Sequence, residues 1–540
     1  MAKSTARSGP ASGPASGAAL GEASGAASRA SSGAASGAAL RRTVRAAGCA
    51  LLAGTLAAAC GSGGGGSGPG PSDALAIGLI AEPASLDFTT TDGAAVPQAT
   101  LGSIYEGLVR VDQQGKIQPL LAERYERSDD GRTYTFHLRK GVKFTSGAEF
   151  TADDAVFSIE RVKKDWKLKT ARQMDVVDKA EKTGDHTVKV TLNHASNGWL
   201  YAMTTRIGAM FSRTGVADLA AHPVGTGPFK LAERRRGDRI VLDRNDSYWG
   251  GKPELGKVTL KYFKDAGAMN NALLTKGIDV VGTVQAPESL SRFSDKNRFR
   301  TIEGSSTGEV VLSMNNSREP FKDKRVRQAV RHAIDHKALV ETSRAGHGKL
   351  IGTMAVPTDP WYEDLTGSYP YDPAKAKQLL KDAGAEGRTV KFRVPNMPYA
   401  MSAAQVVKSQ LDQVGLKAEI EPLEFPARWL SEVYNKADYD LSVIAHTEPR
   451  DLWTFADPGY YFRYGNPAYA KLLKDADSGR PEDEAARYRE AARLLSDDAA
   501  ADWLYLMPNL MVADKDVTGL PVNQVGEGLD LANIRWAKKK

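Results

Sequence analysis

The sequence predicts an α/β protein of two lobes, on three observations. The chain has 540 residues, enough for two or three domains. Period-two strands and 3.6-residue apolar stripes are interleaved along it, and after residue 371 they alternate as helix, strand, helix, strand, the rhythm of an α/β lobe. Hydrophobic residues are 41% and charged residues 25%, ordinary for a soluble globular chain.

The chain opens with a leader. Residues 8–40 are Ser/Gly/Ala/Pro repeats that cannot form a core. Arg41, Arg42 and Arg45 follow, then a 14-residue apolar run over 46–59 that ends at Cys60. That is a basic segment before a short apolar one, too short to span a membrane, which takes about 20 residues. Small residues before a cysteine resemble a bacterial lipoprotein signal, although Leu56 stands four residues before Cys60 rather than three. Residues 1–60 are therefore read as a lipoprotein signal peptide with a long low-complexity start. Residues 61–73 are read as a flexible Gly/Ser tether, whose 12-residue GSGGGGSGPGPS core reaches roughly 17–20 Å. Arg41-Arg42 also leaves twin-arginine export open beside the general secretory route.

Charge and cysteine exclude several classes. Formal net charge is +7, but six basic residues against one acidic residue lie in the first 60, leaving +2 for the rest. That small excess gives little support to a nucleic-acid role, which wants a basic face on the folded part. Both cysteines, Cys49 and Cys60, lie in the leader, so the body offers no disulfide, thiol nucleophile or thiolate metal site.

The body begins with an apolar strand over 74–80 and a loop, Glu82-Pro83-Ala84-Ser85-Leu86-Asp87. Asp129-Asp130-Gly131 is a turn. Residues 133–139 then alternate, with Tyr134, Phe136 and Leu138 on one face, a half-buried strand. Thr151, with Asp154 three residues on, starts a helix as a capping box does, and Ala152, Val156 and Ile159 are its inward stripe. Residues 187–192 alternate as a strand. Gly225-Thr226-Gly227-Pro228 allows a tight backbone excursion; no helix-opening Lys-Ser/Thr follows, so it is not a phosphate loop. Residues 240–242 are a strand, and 266–276 a helix running into Gly277-Ile278-Asp279-Val280-Val281. After Pro320-Phe321-Lys322-Asp323, Val326, Ala329, Val330, Ala333 and Ile334 form an amphipathic stripe capped by Asp323. His332 and His336, four apart, lack a third ligand and read as solvated polar-face residues. Later helices span 372–383, 403–414 and 485–495; strands span 390–394, 418–420 and 503–511.

Several of these stretches, taken together and in order, resemble the family 5 solute-binding proteins of ABC importers, which take up oligopeptides, dipeptides, nickel and some sugars. They are YEGLV from Tyr105, DGRTYTFHLR from Asp130, GVKF from Gly141, FTADDAVFS from Phe150, GTGPF from Gly225, RNDSYWGG from Arg244 and PFKDKRVRQAVRHAID from Pro320. The resemblance implies a type II periplasmic-binding-protein fold with an extra small domain inserted in the first lobe. It places lobe I at 74–112, 195–281 and 507–540, the inserted domain at 113–194 and lobe II at 282–506. It implies no catalysis and no cofactor. The implied partners are a peptide or other small ligand, ABC permease subunits and, through the lipid anchor, the extracytoplasmic face of the cell membrane; a monomer is expected.

The same resemblance puts ligand contacts after Tyr439-Asp440-Leu441, often with an acidic residue for a peptide's amino end. Here Ala445-His446 replace the family's Gly-Trp, and Glu448 stands near its Asp. Glu448 can receive a cation and Arg450 can pair a carboxylate, unless Asp451 holds Arg450 itself. Aromatics crowd residues 425–464, among them Phe425, Trp429, Trp453, Phe455, Tyr460, Tyr461 and Tyr464, material for a pocket wall. The ligand set read from the sequence is thus Glu448, Arg450, Asp451, Trp453, Phe425 and Thr226, with no metal site. Peptide is the leading ligand; a nickel chelate, an oligosaccharide or a sensory role are the alternatives. An extracytoplasmic hydrolase is disfavoured, since no H-E-x-x-H is present and the body has no cysteine.

Acylation at Cys60 is directly testable. Metabolic labelling with a fatty acid should mark the wild-type chain and leave Cys60→Ser unlabelled. Equal labelling of both refutes the anchor.

Overall fold

The computed structural model describes residues 73–537; the leader, Cys60 and the tether proper lie outside the described residues. One ten-stranded sheet runs through the molecule. From one edge its order is Lys417–Leu423, Thr389–Pro395, Leu441–His446, Phe299–Met314, Ala501–Asp514, Val280–Val281, Ala74–Leu79, Lys257–Tyr262, Arg239–Arg244 and Phe229–Arg235. Parallel pairs occur toward both ends, and Phe299–Met314 is antiparallel to both neighbours.

Two strands join the halves of this sheet. Phe299–Met314 has 16 residues and Ala501–Asp514 has 14, against about 5–6 for an ordinary strand. Residues 299–305 pair with 508–514, and residues 309–313 pair with 501–506. The ladder is broken between Ser305 and Glu309, and such a defect lets a strand bend there. The outward crossing therefore lies later than the 281/282 boundary read from the sequence. Val284, Phe293 and Phe299 stay with the first half, packed with Met269, Leu273 and Val281. The return crossing faces the break, between Leu506 and Pro508.

Each half has its own core. In the first, Leu75, Ile77, Leu242, Val258 and Leu260 are buried together. The same cluster takes in Tyr134, Phe136, Val188 and Val190 of a four-stranded antiparallel sheet, Ala122–Arg127, Thr133–Leu138, Thr187–Leu192 and Val177–Gly184. In the second half, Val310, Leu312, Val330, Phe392, Leu411 and Val443 pack together. A cluster rich in aromatics lies on the other side, around Trp429, Tyr461, Phe462 and Trp503.

Local chemistry explains most boundaries. The Ala152–Asp165 helix starts where Asp154 Oδ2 accepts from the Thr151 backbone N–H at 3.1 Å. Its inward stripe is Ala152, Ala155, Ile159 and Val162, while Val156 is only half-buried. Gly415, at φ +93°, ends the Pro398–Val414 helix in the left-handed conformation that glycine adopts without penalty. Asp323 caps the Lys324–Ala333 helix through the Arg325 N–H. That helix stops at Ala333, and Asp335 caps a new one, His336–Arg344. His332 and His336 consequently do not share a solvated face. His332 is buried with Nδ1 2.8 Å from the Pro370 carbonyl, and His336 Nε2 is 3.0 Å from buried Asp502.

Three segments far apart in sequence meet at Glu106. Its buried carboxylate accepts from Thr226 Oγ1 at 2.9 Å, Tyr248 Oη at 2.8 Å and Trp249 Nε1 at 2.8 Å. Burial pushes its pKa up, and the three hydrogen bonds oppose that rise. Gly225 and Gly227 let the Thr226 segment close onto the backbone of Ser103 and Ile104, with Gly227 N donating to Ile104 O at 2.9 Å. A Cβ on either glycine would overlap those carbonyls.

Gly225→Ala should therefore destabilise the protein by about 1–3 kcal/mol, read from the midpoint of urea unfolding. Gly367→Ala, with open space around the added carbon, should stay within about 0.5 kcal/mol.

Candidate functional site

The Leu441–His446 strand delivers His446 to its end, and the chain then turns through Thr447 to Arg450 into a short 3-10 turn, Asp451–Phe455. Arg450 sits at φ +59°, a left-handed conformation that costs energy for a side-chain-bearing residue. The turn brings Asp451 back under His446. Asp451 Oδ2 lies 3.1 Å from His446 Nδ1, and His446 Nε2 lies 2.8 Å from Tyr461 Oη, itself 2.8 Å from Ser313 Oγ. Both His446 and Asp451 are buried.

Glu309, the first residue paired after the break in the long strand, is directly opposite His446 in the sheet. Opposed residues of an antiparallel pair project from the same face. Glu309 is buried, and its Oε2 has no hydrogen-bond partner; neither has Asp451 Oδ1. Burial drives the Glu309 pKa well up, and the Asp451 charge adds to the rise. Asp451 is also raised, chiefly by burial, with the His446 hydrogen bond opposing.

Glu448 differs from these two. Its residue is exposed, and desolvation by the surrounding protein raises its pKa. His446 and Arg206 lower it in turn and Asp451 raises it. Arg206 belongs to the other half of the molecule, where Glu527 Oε1 is 2.6 Å from its Nη2 and Asp92 is 3.2 Å from its Nη1. Glu448 thus looks across a cleft between the halves. His446, Glu448 and Asp451 can each offer one donor atom, all within 4.8 Å of one another.

Arg450 is held elsewhere than the sequence allowed. Asp451 is not its partner. Its guanidinium lies 3.6 Å from the Tyr201 ring centroid and 4.9 Å from that of Trp361. Its Nη2 donates to Gly115 O at 3.3 Å, and Asp359 is 3.8 Å from its Nε. Tyr201 and Gly115 come from the first half, Trp361 and Asp359 from the second, so Arg450 is a bolt across the cleft. A second bolt is Asp477, whose Oδ1 accepts from Ser196 Oγ at 2.7 Å and Gly198 N at 2.9 Å. Asn197 Nδ2 donates to Ala476 O at 2.8 Å. The halves are closed on one another.

The aromatics sort into two groups. Phe455, Tyr461, Phe462 and Tyr464 are core. Phe425, Trp429, Tyr434, Tyr460 and Trp453 form a chain of ring contacts at 6.1, 6.4, 5.4 and 6.2 Å. Trp453, at its end, is 49% exposed beside the acidic cluster. Lys169 Nζ of the first half lies 5.3 Å over the Tyr434 ring. Thr226 is not presented to the cleft: it is fully buried, with its hydroxyl bonded to Glu106. Sequence reasoning missed Arg206, Glu309, Asp359 and Tyr434. The one local sign is at Tyr434, where Leu430–Asn435 is a π-helical turn, a feature frequent at functional sites.

Comparison with known proteins agrees with this geometry. Residues 116–467 match the model of "Bacterial extracellular solute-binding proteins, family 5 Middle". The chain is 29% identical over 467 residues to the glutathione-binding protein GsiB of Salmonella choleraesuis, covering 80% of this chain and 90% of that protein. The oligopeptide-binding protein AppA of Bacillus subtilis, in complex with a nonapeptide, superposes with a TM-score of 0.74 at 25% identity, over 87% of this chain and 100% of AppA. The periplasmic binding protein DppA of Helicobacter pylori, in complex with the peptide STSA, has the same fold, with a TM-score of 0.75 at 24% identity over 86% of this chain and 98% of DppA.

Burial raises the Asp359 pKa to about 6, with the Val356 N–H and the Arg450 charge opposing. A raised carboxyl contributes stability that is full below its unfolded pKa and is lost as pH rises through the folded one. The stability of wild type relative to Asp359→Asn should therefore fall by about 2 kcal/mol between pH 4 and pH 7. Denaturant melts at both pH values check this, and a pH-independent difference refutes it.

Proposed function

Because the chain belongs to family 5 of the bacterial extracellular solute-binding proteins, we propose that this receptor of an ABC importer captures small peptides carrying a free amino end, glutathione among them. The observation that carries the reading is Glu448. It is an exposed carboxylate in a recess between the two halves, faced by Arg206 from the far side and flanked by exposed Trp453. An ammonium group is the natural partner for Glu448. The ring of Trp453 offers apolar contact to a peptide's side chain, and the aromatic chain back to Phe425 extends that wall.

Capture is by hinge closure. The broken ladder at residues 305–309 is the bending point, and Arg450 and Asp477 are the contacts that close. The closed, loaded protein is what the permease receives. Among the described residues no helix is long and apolar enough to cross a membrane. Residence at the membrane comes from the lipid on Cys60, with the Gly/Ser tether holding the monomeric body off the surface.

Calorimetric titration with glutathione and with short peptides, free and N-acetylated, tests this. Glu448→Gln should lose about 2 kcal/mol for free-amine ligands, roughly 30-fold, while N-acetylated ligands bind both forms alike. X-ray scattering should show a smaller radius of gyration at saturation than without ligand. Equal affinity of wild type and Glu448→Gln for free-amine ligands overturns the assignment of Glu448, and an unchanged scattering profile overturns closure.

A further inference from the structure

Two buried carboxylate oxygens without partners are unusual in a folded protein, since each forgoes the hydrogen bonds it had in water. Glu309 Oε2 and Asp451 Oδ1 are two such atoms; Glu309 is paired with His446 in the sheet, and the other oxygen of Asp451 is bonded to the His446 ring. We propose that His446, Asp451 and Glu448, backed by Glu309, bind a divalent transition-metal ion of the zinc class.

The donor spacing fits. His446 Nδ1 and Asp451 Oδ2 are 3.1 Å apart. With metal–N and metal–O distances of about 2.0–2.2 Å, cis donors in octahedral to tetrahedral sites stand roughly 2.9–3.4 Å apart. A cation seated off that line, about 2.0–2.2 Å from both atoms, replaces the present hydrogen bond without moving either side chain far. Glu448 closes the set from its exposed side. The outer shell is also present: with Nε2–H donating to Tyr461 Oη at 2.8 Å, the Nδ1 lone pair points at the metal, as ligating histidines are usually oriented. Tyr461 Oη in turn reaches Ser313 Oγ.

Burial selects a bare ion over an organic cation at this inner position. Asp451 has no exposed surface and His446 only 5%, so an ammonium carrying a peptide cannot enter between them. Donor chemistry selects the class of ion, because an imidazole with carboxylates suits zinc, nickel or iron, whereas calcium and magnesium take oxygen alone. The site stands independently of the peptide reading but shares Glu448 with it. Metal and free-amine ligand should accordingly weaken each other.

The test uses the full chain without a histidine tag, stripped with chelator and titrated with Co²⁺ and Zn²⁺ in the absence of peptide. One equivalent of Co²⁺ should bind with visible d–d absorption, and Zn²⁺ should displace it. Glu448→Ala, an exposed position that leaves folding intact, should weaken binding at least about tenfold, since even outer-shell losses cost roughly 10–100-fold. His446→Gln should abolish it, and His347→Asn, at an unrelated exposed imidazole, should leave it unchanged. Absence of saturable uptake, or equal affinity in Glu448→Ala, overturns the proposal; should His446→Gln not fold in a thermal melt, Glu448→Ala alone decides. Peptide titration of the stripped protein then reports on the peptide reading separately.

Discussion

Buried carboxylates organise both halves of this protein. A carboxylate taken out of water must recover several hydrogen bonds or an ion pair, or its pKa rises until it neutralises. Glu106 recovers three donors, from Thr226, Tyr248 and Trp249, and so fixes three distant segments of the first half. Asp502 recovers Arg331 at 3.3 Å and His336 at 3.0 Å, which hold its pKa down against burial and tie two helices to a long strand. At Glu309 and Asp451 the recovery is incomplete. The satisfied pair builds the halves. The unsatisfied pair lies where the halves meet, and there an outside cation is what completes it.

The position of Glu309 links this cluster to the hinge. It is the first residue paired after the break in the Phe299–Met314 strand, opposite Leu506 on one side and His446 on the other. A charge neutralised beside Glu309 acts on the strand where it can bend. Arg450 works in the same region from the opposite direction. Its left-handed backbone is compensated by stacking on Tyr201 and Trp361 and by the Gly115 carbonyl, and two of those three partners are lost if the cleft opens. Local backbone strain and domain closure are therefore coupled through one side chain.

Much of the fold was legible because its signals are local. Alternation gave the Thr133–Leu138 strand and its buried Tyr134, Phe136 and Leu138. Asp323 marked a helix start by capping chemistry. What was illegible is long-range. The crossing was missed because residues 299–314 form one continuous strand, in spite of the Gly304-Ser305-Ser306-Thr307-Gly308 run at its break. The helix end at Ile334 carries no Gly or Pro, so one stripe read through it. Thr226 lies in a motif, and a motif does not say which way a hydroxyl faces. At the site, Glu448 and Trp453 were visible in the loop that holds them. Arg206, Glu309 and Asp359 are brought to that loop only by tertiary folding.

The bolts across the cleft bear on how closure is balanced. They are hydrogen bonds and cation–π contacts rather than a hydrophobic seam. Each such bond nets about 0.5–1.5 kcal/mol once water competition is counted. The few at Arg450, Asp477 and Asn197 are offset by the ordering of long side chains and loops, so they leave opening and closing near balance. Moving a two-state equilibrium from mostly open to mostly closed takes about 5.5 kcal/mol of differential binding. A ligand that touches only one half supplies none of it. One that spans Glu448 and Trp453 on one side and the Arg206 wall on the other exists as a full set of contacts in the closed form alone. The cleft's chemistry is divided between the halves for that reason, and a receptor so divided reports occupancy by its shape.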